Sequence, residues 1–214
     1  MIAVLTLRRL RRGEGAVFCY TALMKNVFAI AGPTGSGKDS IIRRLIARYP
    51  RVAFAVNATT RAPRPQEQHG IQYHFLSKDD FLRYVADGTI PEHYHRPDTD
   101  TYYGLYKPDL DAKLAEGKIV AFQIQIVGAR YLKAAYDATT FFIMPGSLTA
   151  FEHRVRARAS MSDAEWAERL AFTRREIDEE APWYDYRIVN EDGKLDAAVE
   201  EVAAILTKEG YVLE

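Results

Sequence analysis

The sequence predicts an α/β fold in which a mainly parallel sheet is covered by helices on both faces. Three observations carry this. Short apolar runs alternate with segments of helical period along the chain. The first run leads straight into a glycine-rich loop, "GPTGSGKDS" from Gly32 to Ser40, that opens a helix. The 214 residues, 48% of them apolar, give a core large enough to need no covalent staples.

The elements follow in order. Asn26–Ala31 (NVFAIA) is a short apolar run and reads as a buried strand. Residues 38–49 read as a helix, with Ile41, Ile42, Leu45 and Ile46 on one face and Pro50 ending it. Val52–Val56 is a second strand. Residues 60–72 carry two prolines, a glycine and no helical period, so they read as a loop. Lys78–Ala86 is a short helix, with Ser77 as N-cap and Gly88 just past its end. Residues 91–106 are polar, aromatic and irregular. A helix over Pro108–Glu116 ends at Gly117. Ile119–Val127 and Phe141–Met144 are further strands. Two charged helices, 149–159 and 162–180, precede a short strand at Arg187–Asn190 and a closing amphipathic helix at Leu195–Leu206.

The remaining residues bound the class. With 29 basic and 29 acidic side chains the net charge is zero, which lacks the basic footprint of a nucleic-acid binder. No apolar run reaches the roughly 18 residues that span a bilayer. Cys19 is the only cysteine, so a reducing, cytoplasmic setting is expected. Separately from the cysteine, the expected partners are small molecules and the expected state is a monomer or homodimer. Residues 1–23 hold four arginines between Arg8 and Arg12 and one acid, Glu14. They read as an extension outside the core, the alternative being an Arg-rich targeting arm. The four histidines at 69, 74, 93 and 95 follow no zinc spacing.

Gly32, Pro33, Thr34, Gly35, Ser36, Gly37 and Lys38 fit a phosphate loop. Backbone N–H groups and the helix N-terminus form an anion nest, and Lys38 adds a point charge for the outer phosphates. The pattern next asks for a hydroxyl to hold Mg²⁺, and this chain has Asp39. A carboxylate beside polyphosphate repels it unless a cation lies between. Ser40 keeps a hydroxyl one residue further on. A second constellation lies in residues 57–75, "NATTRAPRPQEQHGIQYHF". Its paired guanidiniums, Arg61 and Arg64, with Tyr73 nearby, suit a phosphate monoester. Taken alone, such a loop is more often a solvated surface.

Together these segments resemble the guanylate kinase family. "TTRAPRPQEQHGIQYHF" follows that family's nucleotide-binding segment, and the likeness continues through Glu92, Tyr103–Gly104, "HRVRARASMSDAEWAERL" and "YDYRIVN", covering about residues 25–206. The resemblance implies a P-loop NTPase core (24–56, 107–145 and 176–206), an inserted acceptor-nucleotide lobe (57–106), a helical lid (146–175) and a C-terminal tail (207–214). It implies ATP-dependent phosphoryl transfer to GMP, with ATP and Mg²⁺ as donor and cofactor. By that likeness Asn57, Arg61, Arg64, Tyr73 and Tyr103 hold the acceptor, and Glu92 reads its base. Lys38, Arg154, Arg158 and Arg169 neutralise the group in flight, and Asn190 lies near the donor adenine.

The chain departs from the family pattern at three places. The loop hydroxyl is Asp39, the acids expected at the end of the strand before Gly128 are Gln123 and Gln125, and the hydroxyl after Tyr-Gly is Leu105. The paired changes suggest that Asp39 supplies the metal carboxylate and Gln125 the donor to the base. The loop ending Gly-Lys-Asp-Ser is also similar to ribose 1,5-bisphosphate phosphokinases. That likeness leaves a sugar-bisphosphate kinase as one alternative and a non-catalytic binding module of the same fold as another.

Overall fold

Five parallel strands in the order β2-β7-β1-β8-β9 form the main sheet. The structure is a computed structural model and describes residues 25–156 and 162–214. β1 (Val27–Ala31) and α1 (Lys38–Arg48) flank the phosphate loop, and β2 (Val52–Phe54) follows. β7 (Ile119–Gln123), α4 (Ile126–Tyr136), β8 (Thr139–Pro145), β9 (Tyr186–Asn190) and α7 (Leu195–Lys208) complete this layer with α3 (Lys107–Ala115). Registers are parallel throughout, with Phe28 opposite Ala121 on one side and Thr139 on the other.

β1 is buried at every position because both faces are covered. Its two faces feed two cores. Phe28 and Ile30 pack with Ile41, Leu45, Val202 and Leu206 under α1 and α7. Val27 and Ala29 pack with Leu110, Phe122, Leu132 and Tyr184 on the other side. Lys208 ends α7, yet the chain beyond is no loose tail. Tyr211 is 2% exposed, and its hydroxyl donates to the Val27 carbonyl and accepts from Thr139 N–H.

A second sheet, in the order β4-β3-β6-β5, is built from β3 (Ala58–Thr59), β4 (His74–Phe75), β5 (His93–Arg96) and β6 (Thr101–Gly104). With α2 (Lys78–Ala86) it encloses its own small core of Ala58, Phe81 and Ile90. Ser77 caps α2 by accepting from Asp80 N–H, as its sequence position predicts. One carboxylate pins the joint between the sheets. Asp109 Oδ2 accepts from Val56 N–H at 2.9 Å, where the chain leaves the main sheet, and the same carboxylate pairs with Lys113. His74 Nε2 lies 3.9 Å from Asp109 Oδ1, and burial holds its imidazole below the ordinary value.

Three expectations need correction. The strand expected over Ile119–Val127 stops at Gln123, and α4, which was not expected, begins at Ile126. The run IVAFQIQIV is apolar but for Gln123 and Gln125, and apolarity alone does not separate a buried strand from the first turn of a buried helix. Residues 91–106 are not irregular, because β5 and β6 pair antiparallel, His93 opposite Gly104. Their polar, aromatic composition reflects a thin, half-solvated sheet. The helix expected over 162–180 is α6 (Asp163–Arg175) followed by a π-helical turn, Glu176–Glu180. The helix expected over 149–159 is α5 (Leu148–Arg156) within the described residues. Arg158 and the extension 1–23 lie outside them.

Candidate active site

The phosphate loop leaves the C-terminal end of β1 and enters α1, where ligands gather in open parallel sheets. Gly37 is the N-cap of α1 with φ +93°, a left-handed conformation that a side chain disfavours. A Cβ there would also run into the Asn190 carboxamide nitrogen. Ser36 N–H donates to the Pro33 carbonyl at 3.0 Å, and Lys38 Nζ donates to the same oxygen at 3.3 Å. Lys38 thus lies back along the loop. Thr34 is exposed and Ser40 half-buried. Asp39 is exposed in the first turn of α1, where a carboxylate suits the helix dipole. Phe151 and Val155 of α5 pack against Gly35, placing that helix on the loop.

In the second sheet, Arg61 is held by Glu67. Arg61 Nη2 donates to both Glu67 oxygens at 2.9 Å, and Nη1 donates to the Ala62 carbonyl at 2.8 Å. Burial pulls the guanidinium down, but the Glu67 hydrogen bond and charge outweigh it and raise it above its ordinary value. Glu67 also accepts from Arg64 N–H at 2.8 Å; this bond, then the Arg61 fork, holds the carboxyl below the usual range. The Arg64 side chain is exposed. Tyr73 and Tyr103 meet edge to face, with ring centres 5.9 Å apart, and Arg61 lies over Tyr73 at 5.7 Å. Burial raises the Tyr73 phenol; Tyr103 adds to this, and so does the charge of Asp39. Asp39 therefore lies near enough to this cluster for its charge to act on the phenol.

Glu92 sits beside the first turn of α4. A Cβ on Gly128 would stand 2.8 Å from Glu92 Oε2, so the absent side chain makes room for the carboxyl. Burial pushes Glu92 up to about 7. Gln125, the N-cap of α4, is exposed and its side chain caps nothing. Leu105 is fully buried in the main core. Asn57 Nδ2 donates to the Gln123 carbonyl at 3.4 Å.

Sequence reasoning grouped Arg61, Arg64, Tyr73 and Tyr103, of which Arg61, Tyr73 and Tyr103 meet beside the second sheet with Arg64 exposed on the same segment, and it set Lys38 with Asp39 at the loop. It matched Asn190 to a residue near the donor adenine; in the structure the 7%-exposed side chain lies against the loop, donating to the Ser36 carbonyl at 2.7 Å. Arg154 lies on α5, and Arg169 on α6 is half-buried. Two residues were missed. Glu67 lay inside the quoted motif, and only its spacing from the arginines marked it. Glu176 was lost among the acids of a charged helix. It opens the π-helical turn, a feature that recurs at functional sites. Burial and Glu180 push its carboxyl up to about 7, against the nearby charges of Lys38, Arg169 and Arg175.

Comparison with known proteins gives a consistent result. A sequence model described as guanylate kinase matches residues 24–209. A guanylate kinase of Thermosynechococcus vestitus is 40% identical over 167 residues, 78% of this chain and 86% of that protein. One from Xanthomonas axonopodis pv. citri is 38% identical over 184 residues, 85% of this chain and 87% of that protein. Among solved structures, guanylate kinase from Anaplasma phagocytophilum superposes with a TM-score of 0.65 at 24% identity, covering 87% of each chain, which supports the fold.

Proposed function

The chain belongs to the guanylate kinase family, and from that premise we propose how its residues carry ATP-dependent phosphorylation of GMP to GDP. The observation that carries the proposal is the nearness of two anion sites. The loop of Lys38 and Asp39 lies close enough to the arginine–tyrosine cluster of the second sheet for the Asp39 charge to act on the Tyr73 phenol. The loop Gly32–Lys38 and Ser40 hold the donor triphosphate. Arg61, Arg64, Tyr73 and Tyr103 hold the GMP phosphate, with Asn57 beside them. A GMP phosphate oxygen attacks the γ-phosphorus of ATP, the β–γ bridging bond breaks, and ADP leaves with the bond's electron pair. Lys38, Arg154, Arg158 and Arg169 spread their charge over the transferring group. Closure of the second sheet and of an α5–α6 lid over the cleft excludes water. No strong general base is needed.

Glu92 accepts from the guanine N1–H and N2–H. Leu105 has no donor for O6, and Gln125, exposed on the turn where Glu92 rests, supplies one. Glu92 must be ionised to accept twice. Its raised value means the carboxylate is lost as pH falls through about 7. The KM for GMP therefore rises by about tenfold from pH 8 to pH 6. The Glu92→Gln variant loses this step and keeps the one below it that belongs to the GMP phosphate. Steady-state kinetics across that range check this, and identical profiles for both enzymes would refute it.

The donor set at the loop suits Mg²⁺. Among the described residues no three His, Cys, Asp or Glu side chains converge. A lone exposed carboxylate beside phosphate oxygens matches an ion that keeps most of its waters. Asp39 would hold it, and bound there it neutralises polyphosphate charge. Asp39→Ser is expected to lower turnover by about tenfold and shift the Mg²⁺ titration upward. Full turnover at an unchanged Mg²⁺ requirement would remove Asp39 from this role. ADP release with GMP, AMP, UMP and ribose 1,5-bisphosphate as acceptors tests the reaction itself. Preference for the sugar bisphosphate, which the loop ending Gly-Lys-Asp-Ser resembles, would overturn it.

A further inference from the structure

Asn190 stands at the end of β9, remote in sequence from the loop it touches. The Ser36 carbonyl that it holds and the Gly37 N–H belong to one peptide unit. That unit is trans, so its C=O and N–H point in opposite directions. Pinning the carbonyl down onto Asn190 turns the Gly37 N–H up, toward the open side of the loop. Among the described residues that N–H makes no hydrogen bond, while the Gly37 carbonyl accepts from Ser40 and Ile41 N–H. Gly37 allows this arrangement because only a residue without a side chain fits against the carboxamide. The contact is dry, since Ser36 is fully buried and Asn190 nearly so. A peptide flip would leave the carboxamide donor unpaired there, which disfavours it.

We propose that Asn190 is a positioning residue for phosphoryl transfer: it sets the direction of the Gly37 amide and so pre-organises the loop for the donor triphosphate, acting on phosphate and not on the adenine. This rests on the reading that the loop holds that triphosphate. The isosteric Asn190→Asp change sets an acceptor against the Ser36 carbonyl and favours the flipped peptide. Asn190→Ala removes the donor without adding charge.

The experiment titrates ATP, inorganic tripolyphosphate and GMP into the full chain and both variants by calorimetry. Both variants are expected to lose ATP and tripolyphosphate affinity by the same factor, about tenfold, with GMP affinity within about twofold. Loss for ATP with tripolyphosphate unchanged would mean an adenine contact and overturn the inference. Unchanged affinity for both ligands would overturn it too, as would equal loss of GMP binding in both variants, which marks general collapse. If tripolyphosphate fails to compete with ATP on the unmodified chain, the reading of the loop fails, a result separate from these.

Discussion

Replacing Lys38 with Met lowers kcat on the order of 10² to 10³-fold at saturating ATP and GMP. The transferring phosphoryl group passes its charge through a transition state that the protein stabilises by position and electrostatics. Lys38 is held to the loop backbone itself, through the Pro33 carbonyl. The side chain is half-buried and outside the main core, so the melting temperature should stay within a few degrees while turnover collapses. A coupled assay for ADP, set beside a thermal melt, makes the test. Retention of more than about a tenth of wild-type kcat would show that the lid arginines carry the charge without it. The loss of Lys38 also removes a neighbour that opposes protonation of Glu176, so that carboxyl should titrate at higher pH in the variant.

The second large effect belongs to Arg61. Arg61→Ala should raise the KM for GMP by about ten- to a hundredfold and leave the KM for ATP alone, the cost of one charge-assisted fork to a phosphate. Arg61→Lys should fall between, because an ammonium keeps the charge and loses the planar fork. Glu67 shapes this outcome. It spans the Arg61 guanidinium and the Arg64 backbone, so Glu67→Gln should weaken GMP less than Arg61→Ala does, while loosening both arginines. Equal KM changes for ATP and GMP in Arg61→Ala would place the residue outside the acceptor site.

The sequence was legible where a local constraint left few choices. The glycine loop between an apolar run and an amphipathic helix fixed β1, α1 and the start of the site. Ser77 before a helix-period segment fixed α2. Legibility failed where the deciding contact was distant or the environment was mixed. β5 and β6 are strands because they pair with each other and β6 pairs with β3, not because their residues alternate. The start of α4 hid inside an apolar run. Asn190 could be matched to a motif, but its bond to Ser36 links positions 154 apart, and nothing local announces it. Glu176 reads as one more surface acid until the π-helical turn half-buries it beside Lys38 and Arg169.

The separate core of the second sheet bears on how such a chain changes over generations. Ala58, Phe81 and Ile90 bury one another without help from the main sheet, and Asp109 fastens the two at a joint. Substitutions that retune the acceptor can therefore accumulate in one unit while the loop, clamped between β1, α1 and Asn190, stays under its own constraints. Asp39 in the loop and an intact arginine–tyrosine cluster near it are what such independent drift would leave behind: two halves of one catalyst carrying different histories.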